Sequence, residues 1–140
     1  MPHRRGCSGL PEANPSTDID GIDTWHKITI SANVAFGISL AASTIPAAGI
    51  RYIRKEDVDA FRDHGLVCKL VSSAKVLENG CSAYVQPTLF SSNDLEAAVP
   101  TNFNLITMDG EYSGRQSFYG QGAGRYPTAY NVRCLSYMGI

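Results

Sequence analysis

The sequence predicts an α+β fold, a largely antiparallel sheet of about four strands with helices packed on one face. Three observations predict it: apolar residues recur at helical spacing early in the chain, branched residues later alternate as they do in strands, and turn-forming pairs separate those strands. A helix, then strands in hairpins, then a helix is an element order typical of α+β proteins. At 140 residues, the chain is expected to form one domain with a single core.

The first helix is expected over residues 21–36. Offsets of three and four place four side chains on one buried stripe: Trp25, Ile28, Ala32 and Ala35. Asp20 is a favourable N-cap, and Gly37 is a suitable stop. Residues 38–54 are broken by proline and glycine and predict an irregular connection with an apolar side.

A short amphipathic helix is predicted over residues 55–64. Val58 and Phe61 would face inward, and Gly65 would cap the helix C-terminus. Further helices are predicted over residues 93–99 and 127–137.

The strands are predicted from branched residues and from the turns between them. They cover residues 66–76, 81–89, 102–108 and 114–119. Asn79-Gly80 is the strongest short hairpin signal and joins the first two strands. Asp109-Gly110 is expected to turn the chain between the last two.

Charge and hydropathy exclude several classes of partner. The formal net charge is -1 and the chain has no basic run, so no nucleic acid is expected to bind. Glycines and a proline interrupt the longest apolar-rich run, residues 34–50, so it is not a membrane span. The charged opening residues have no apolar segment behind them, which indicates no signal peptide and a cytoplasmic location. The cysteines lack metal-type spacing and are expected to be reduced thiols: Cys7, Cys68, Cys81 and Cys134.

Residues 9–27 place several carboxylates close in sequence to Lys27. Turn-forming pairs predict a loop in the first half of this stretch, and the second half begins the first helix. Asp23 lies in the first helical turn, four residues before Lys27, so the two side chains share a face. One interpretation is a capped surface helix with an ordinary ion pair. The other is a site in which a loop carboxylate, a helix carboxylate and an ammonium group converge.

The same stretch resembles the signature of homoserine dehydrogenases, with the family's spacing. The matching residues are Gly9, Leu10, Asn14, Pro15, Asp18, Ile19, Gly21, Asp23 and Lys27. Two positions depart from the pattern. Pro11 stands where the family has a small residue, and Arg5 stands where it usually has alanine.

A second motif, Tyr-Gly-Gln-Gly-Ala-Gly-Arg-Tyr-Pro-Thr-Ala, covers residues 119–129. A glycine loop of this kind can hold a phosphate or simply turn a strand into a helix. It is not the dinucleotide fingerprint, because Arg125 occupies the place of that motif's third glycine. The loop also resembles that of homoserine dehydrogenases, in which it lies beside the nicotinamide and the substrate. The resemblance therefore implies cofactor contacts at Gly120, Gly122, Ala123 and Gly124.

Together the two motifs imply, by resemblance, an oxidoreductase that interconverts L-homoserine and L-aspartate 4-semialdehyde with NADP or NAD. The reaction belongs to threonine, methionine and isoleucine biosynthesis. Lys27 would polarise the carbonyl group and donate the proton, and Asp23 would hold Lys27 in place. Glu12 and Asp18 would bind the substrate ammonium through charge-assisted hydrogen bonds. No metal ion is expected in the site.

The resemblance extends over residues 9–138 but covers only part of the family's enzyme. It implies a catalytic, substrate-binding and dimerisation domain over residues 9–140, with residues 1–8 disordered or an artificial extension. The family's dinucleotide-binding domain, with its second active-site lysine, is not recognised here, so this chain alone is expected to be inactive. A homodimer is implied. The alternative is an interaction fragment that dimerises or regulates a full-length partner without catalysing the reaction.

Overall fold

The computed structural model describes residues 16–100 and 102–122. Contacts divide the chain into two compact units. Of the described residues, the first unit contains 16–64 and 68–89, and the second contains 65–67, 90–100 and 102–122.

The first unit combines helices with most of a β-hairpin. The elements in order are α1 (Ser16–Ile19), α2 (Ile22–Phe36), a 3-10 turn (Ala42–Thr44), α3 (Lys55–Asp63), β1 (Leu66–Leu77) and β2 (Gly80–Ser91). α2 ends at Gly37, whose φ of 62° is left-handed and whose N–H donates to the Asn33 carbonyl. α3 begins where the Asp57 carboxylate accepts a hydrogen bond from the Arg54 N–H at 2.8 Å. β1 and β2 pair as an antiparallel two-stranded sheet.

The second unit is built on another antiparallel hairpin. It consists of β3 (Phe103–Gly110) and β4 (Gly114–Gln121), with Leu105 opposite Tyr119 and Thr107 opposite Ser117. The rings of Phe103 and Tyr119 stack with centroids 4.9 Å apart. Arg115 pairs with Asp109, directly across the ladder, at 2.9 Å.

The α+β class is confirmed, and all four predicted strands are found within two residues of their predicted ends. Hydrogen bonds divide the strands of the described residues into two two-stranded sheets, where the sequence predicted one sheet. Turn residues identify which strands form a hairpin, but they carry no information on how one hairpin meets another. The helices predicted over residues 21–36 and 55–64 are confirmed as α2 and α3, and residues 38–54 are irregular apart from the 3-10 turn.

Other local predictions are wrong. Turns occupy the span predicted as a helix over residues 93–99. The Ala97 and Ala98 N–H groups there donate to the carbonyls three residues earlier, those of Asp94 and Leu95, each at 3.2 Å. The loop predicted before the first helix contains the helical turn α1. Pro15 disfavours helical geometry only at the residue before the proline, so the residues after Pro15 are free to form this turn. The helix predicted over residues 127–137 lies outside the described residues.

The buried apolar residues of the described chain all belong to the first unit. They are Ala32 on α2, Ile45 after the 3-10 turn, and Ala83 and Val85 on β2. The predicted stripe of α2 is confirmed at Ala32 and is wrong at Ala35, which is exposed. Val58 of α3 is 40% exposed, whereas Phe61 is half-buried, so the inward face of α3 is narrower than predicted. Among the described helices, none is both long and apolar enough to cross a membrane.

Candidate functional site

The candidate site begins at the corner between α1 and α2. Gly21 turns the chain there with a left-handed φ of 77° and serves as the N-cap of α2. Its N–H donates to the Asp18 carbonyl at 3.2 Å, and its carbonyl accepts the Trp25 N–H at 2.9 Å. A Cβ at this glycine would contact Val85 Cγ1 at 3.4 Å, so the corner lies against β2.

Asp20 is not the N-cap that the sequence predicted. Its two carboxylate oxygens accept hydrogen bonds from Nε and Nη2 of Arg51, each at 2.7 Å. The left-handed backbone required at the cap position favours glycine, which leaves the Asp20 side chain available for a distant partner. The hydrogen bonds from Arg51 hold the pKa of Asp20 below its usual value, and the same pairing raises the pKa of Arg51.

Asp23 and Lys27 form the ion pair that their spacing predicted. Lys27 Nζ lies 2.6 Å from Asp23 Oδ2 on the first turns of α2. The Lys27 side chain is 63% exposed and that of Asp23 46% exposed, so solvent or a small ligand can reach both. The ammonium group is therefore accessible on the helix surface beside the Asp23 carboxylate.

The predicted substrate carboxylates are only partly described. Asp18 lies on α1, before the corner, and is exposed. Glu12 lies outside the described residues. The corner thus presents an Asp18 carboxylate on one element and the Asp23–Lys27 pair on the next.

Two of the four predicted cofactor positions are described, and they differ in the space around them. Gly120 is in β4, and a Cβ there would meet no heavy atom within 4 Å. At Gly122, a Cβ would overlap the side-chain amide of Asn104, so a larger residue there would require that exposed side chain to shift. Ala123 and Gly124 lie outside the described residues.

Arg51 carries no local sequence signal as a site residue, because its partner Asp20 is 31 positions away. It lies within the irregular connection of residues 38–54, where spacing predicts nothing about contacts. Within the described chain, no group of three or more His, Cys, Asp or Glu residues is arranged to hold a metal ion. Cys68 and Cys81 are free thiols, and partial burial raises the pKa of Cys68.

Comparisons with known proteins agree on one similarity. A family model described as homoserine dehydrogenase matches residues 6–133. The homoserine dehydrogenase of Lactococcus lactis is 36% identical over 124 residues, which are 89% of this chain and 29% of that protein. The homoserine dehydrogenase of Pseudomonas aeruginosa is 38% identical over 124 residues, with the same 29% of that protein covered. The chain thus spans less than a third of the length of these curated relatives.

Solved structures show the same similarity. The structure of a homoserine dehydrogenase from Thiobacillus denitrificans superposes with a TM-score of 0.78 at 39% identity, covering 84% of this chain and 27% of that one. A structure of the S. aureus homoserine dehydrogenase gives a TM-score of 0.80 at 28% identity, covering 94% of this chain and 33% of that one.

Proposed function

The chain belongs to the homoserine dehydrogenase family, and from that membership we propose that it supplies the catalytic and substrate-binding side chains of such an enzyme. The reaction is the interconversion of L-homoserine and L-aspartate 4-semialdehyde with a nicotinamide cofactor, a step in threonine, methionine and isoleucine biosynthesis. The observation that carries the proposal is the accessible Asp23–Lys27 pair at 2.6 Å, at the family's signature positions.

Lys27 is the proton donor to the substrate oxygen. In the reduction direction, the aldehyde oxygen gains negative charge as the new C–H bond forms, and an ammonium beside it stabilises that charge and then donates its proton. In the oxidation direction, the neutral amine takes the hydroxyl proton of homoserine. Asp23 keeps the amine at one place through both directions, because it contacts Nζ from one helical turn earlier.

Glu12 and Asp18 bind the substrate ammonium. Both are carboxylates from the stretch that precedes α2, and Asp18 is exposed on α1 close in sequence to the corner. A carboxylate binds an ammonium by charge-assisted hydrogen bonds, which fix orientation as well as affinity. The amino group does not change charge in the reaction, so these contacts contribute binding rather than rate.

The described residues provide only part of a site for NAD or NADP. Gly120 leaves space for a close approach, whereas at Gly122 the exposed Asn104 side chain would have to shift to admit a ligand atom. The described elements contain no parallel strand–helix–strand unit of the kind that binds dinucleotides. We therefore assign most of the cofactor contacts to residues outside the described part, with Gly120, Gly122, Ala123 and Gly124 as the contribution of this chain. When bound, the cofactor supplies or accepts the hydride.

The test places the chain in the matching segment of a full-length homoserine dehydrogenase such as that of Pseudomonas aeruginosa, here termed the complete enzyme, and follows homoserine oxidation by cofactor absorbance. Lys27→Ala should lower kcat by on the order of a hundredfold to a thousandfold with little change in KM, because the lost interaction forms mainly in the transition state. Glu12→Ala should instead raise KM. Lys75→Ala, which removes an exposed lysine of β1, is the matched control and should leave both constants unchanged.

Two outcomes would contradict the proposal. If Lys27→Ala kept its kcat and lost only affinity, Lys27 would be a binding residue and the proton step would belong to another group. If neither the complete enzyme nor the 140-residue chain oxidised homoserine, the interaction-fragment alternative would be favoured.

A further inference from the structure

Residues 45–51, here termed the corner loop, contact α2, β2 and the end of α1 in the first unit. At its start, the Ile45 carbonyl accepts a hydrogen bond from Trp25 Nε1 on α2 at 3.0 Å. Its middle pairs with β2, since the Val85 N–H donates to the Pro46 carbonyl at 2.9 Å and the Ala48 N–H donates to the Val85 carbonyl at 2.8 Å. The loop is therefore fixed to the strand before it reaches the α1–α2 corner.

The end of the corner loop docks on that corner through three contacts. The Ile50 N–H donates to the Ile19 carbonyl at 2.8 Å. Gly49 packs so closely that a Cβ would overlap the Ile19 carbonyl oxygen and lie 2.6 Å from the Asp20 Cα. Arg51 then donates two parallel hydrogen bonds to the Asp20 carboxylate, from Nε to Oδ1 and from Nη2 to Oδ2, each at 2.7 Å.

We propose that Arg51 is a positioning residue for the dehydrogenase reaction: by binding Asp20 it fixes the corner that carries Asp18 on one side and the Asp23–Lys27 pair on the other. This inference rests on the proposed function of Lys27. Arg51 acts through Asp20 and the backbone of the corner. Among the ion pairs of the described residues, Arg51 pairs with Asp20, whereas Lys27 pairs with Asp23.

A clamp outside the two helices can act on this corner because Gly21 has no side chain. Backbone hydrogen bonds hold Gly21 at its left-handed φ of 77°, but the glycine contributes no side-chain contact that fixes the angle between the helices. Lys27 is six residues along α2 from this glycine, which is roughly 9 Å of helix, so a rotation of about 6° at the corner moves its backbone by about 1 Å. A misplacement of about 1 Å is enough to lower a rate about a hundredfold.

The solvent exposure of the Arg51–Asp20 pair makes the inference testable. The side chains are 52% exposed at Arg51 and 37% at Asp20, and exposed ion pairs contribute little to stability. A loss of rate without a loss of folding would therefore report the position of the corner. The chain also contains a matched control pair: Arg115 binds Asp109 in the same bidentate way, at 2.9 and 3.1 Å, on the β3–β4 hairpin.

The experiment compares Arg51→Gln, Asp20→Asn and the double variant in the complete enzyme. Each single variant should lower kcat for homoserine oxidation about tenfold or more, with a smaller change in KM. The double variant should be no slower than either single variant, because both remove the same contact. Arg51→Lys should recover part of the rate, since it keeps the charge and loses the fork. Arg115→Gln should change kcat less than twofold.

A second readout follows the corner itself. In the 140-residue chain, the Ile50 amide should exchange with solvent faster in Arg51→Gln, while the urea midpoint of unfolding stays close to that of the unsubstituted chain. A structural role alone would move the midpoint and leave kcat per folded molecule unchanged.

The outcomes separate this inference from the function on which it rests. An active complete enzyme whose kcat is unaffected by Arg51→Gln would overturn the positioning role and leave the proposed function standing. A slow Arg51→Gln beside a normal Asp20→Asn would also overturn it, since the guanidinium would then act on the substrate directly. A complete enzyme without turnover in its unsubstituted form would remove the proposed function and this inference together.

Discussion

Gly49→Ala should destabilise the first unit by forcing the corner loop away from α1 and α2. An added Cβ at this position would overlap the Ile19 carbonyl oxygen and lie 2.6 and 2.7 Å from Cα and C of Asp20. All three are backbone atoms, which cannot rotate aside as a flexible side chain could. The loop or the corner must therefore move as a unit.

The size of the effect follows from these distances. Carbon atoms in contact normally lie about 3.5–4.0 Å apart, so the two segments must separate by about 1 Å. The Ile50 N–H to Ile19 carbonyl distance, now 2.8 Å, would then exceed the hydrogen-bonding range. Overpacking of this kind typically costs about 1–3 kcal/mol in the free energy of unfolding.

Urea unfolding measures this cost, with the fluorescence of Trp25, the single tryptophan, as the probe. For an m-value of about 1–3 kcal/mol per molar, the midpoint should fall by roughly 1 M. Gly120→Ala is the control, because its Cβ would meet no heavy atom within 4 Å, and its stability should change by less than about 0.5 kcal/mol. A Gly49→Ala chain as stable as the unsubstituted one would refute the close-packed corner.

Three further outcomes are expected. Val85→Ala should lower the free energy of unfolding by about 2–3 kcal/mol, because Val85 is 1% exposed, whereas Val34→Ala, at 79% exposed, should change it little in the same urea titration. Because Arg51 lowers the pKa of Asp20, the ionised pair contributes a small stability above the usual aspartate pKa and loses it as pH falls through the lowered pKa; NMR titration of the Asp20 carboxyl should therefore show its pKa returning toward the usual value in Arg51→Gln. The chain should self-associate through the β3–β4 face that bears Phe118, which is 55% exposed. Sedimentation at micromolar concentration should therefore give a species larger than 15.1 kDa, and Phe118→Ser should shift it toward monomer. A monomer before substitution would contradict this.

The sequence by itself determined the features that depend on neighbours a few residues apart. Gly37 ends α2 because its left-handed backbone suits glycine, and the hairpin that Asn79-Gly80 predicted is found, with Glu78 and Asn79 joining β1 to β2. The Asp23–Lys27 pair forms because residues four apart on a helix meet without help from the rest of the fold. The family signature is likewise local, and it predicted the family that the comparisons show.

Only the tertiary structure decided the features that depend on distant parts of the chain. Asp20 is a residue type that favours the N-cap and stands just before the helix, yet it binds Arg51, 31 residues later, because the corner loop brings the guanidinium to it. The division of the strands into two hairpins and the exposure of Ala35 also depend on which elements meet. Spacing along the chain predicts which side chains share a face of a helix or strand. The partner of a side chain from a distant segment depends on where a loop packs, and no local sequence pattern predicts that packing.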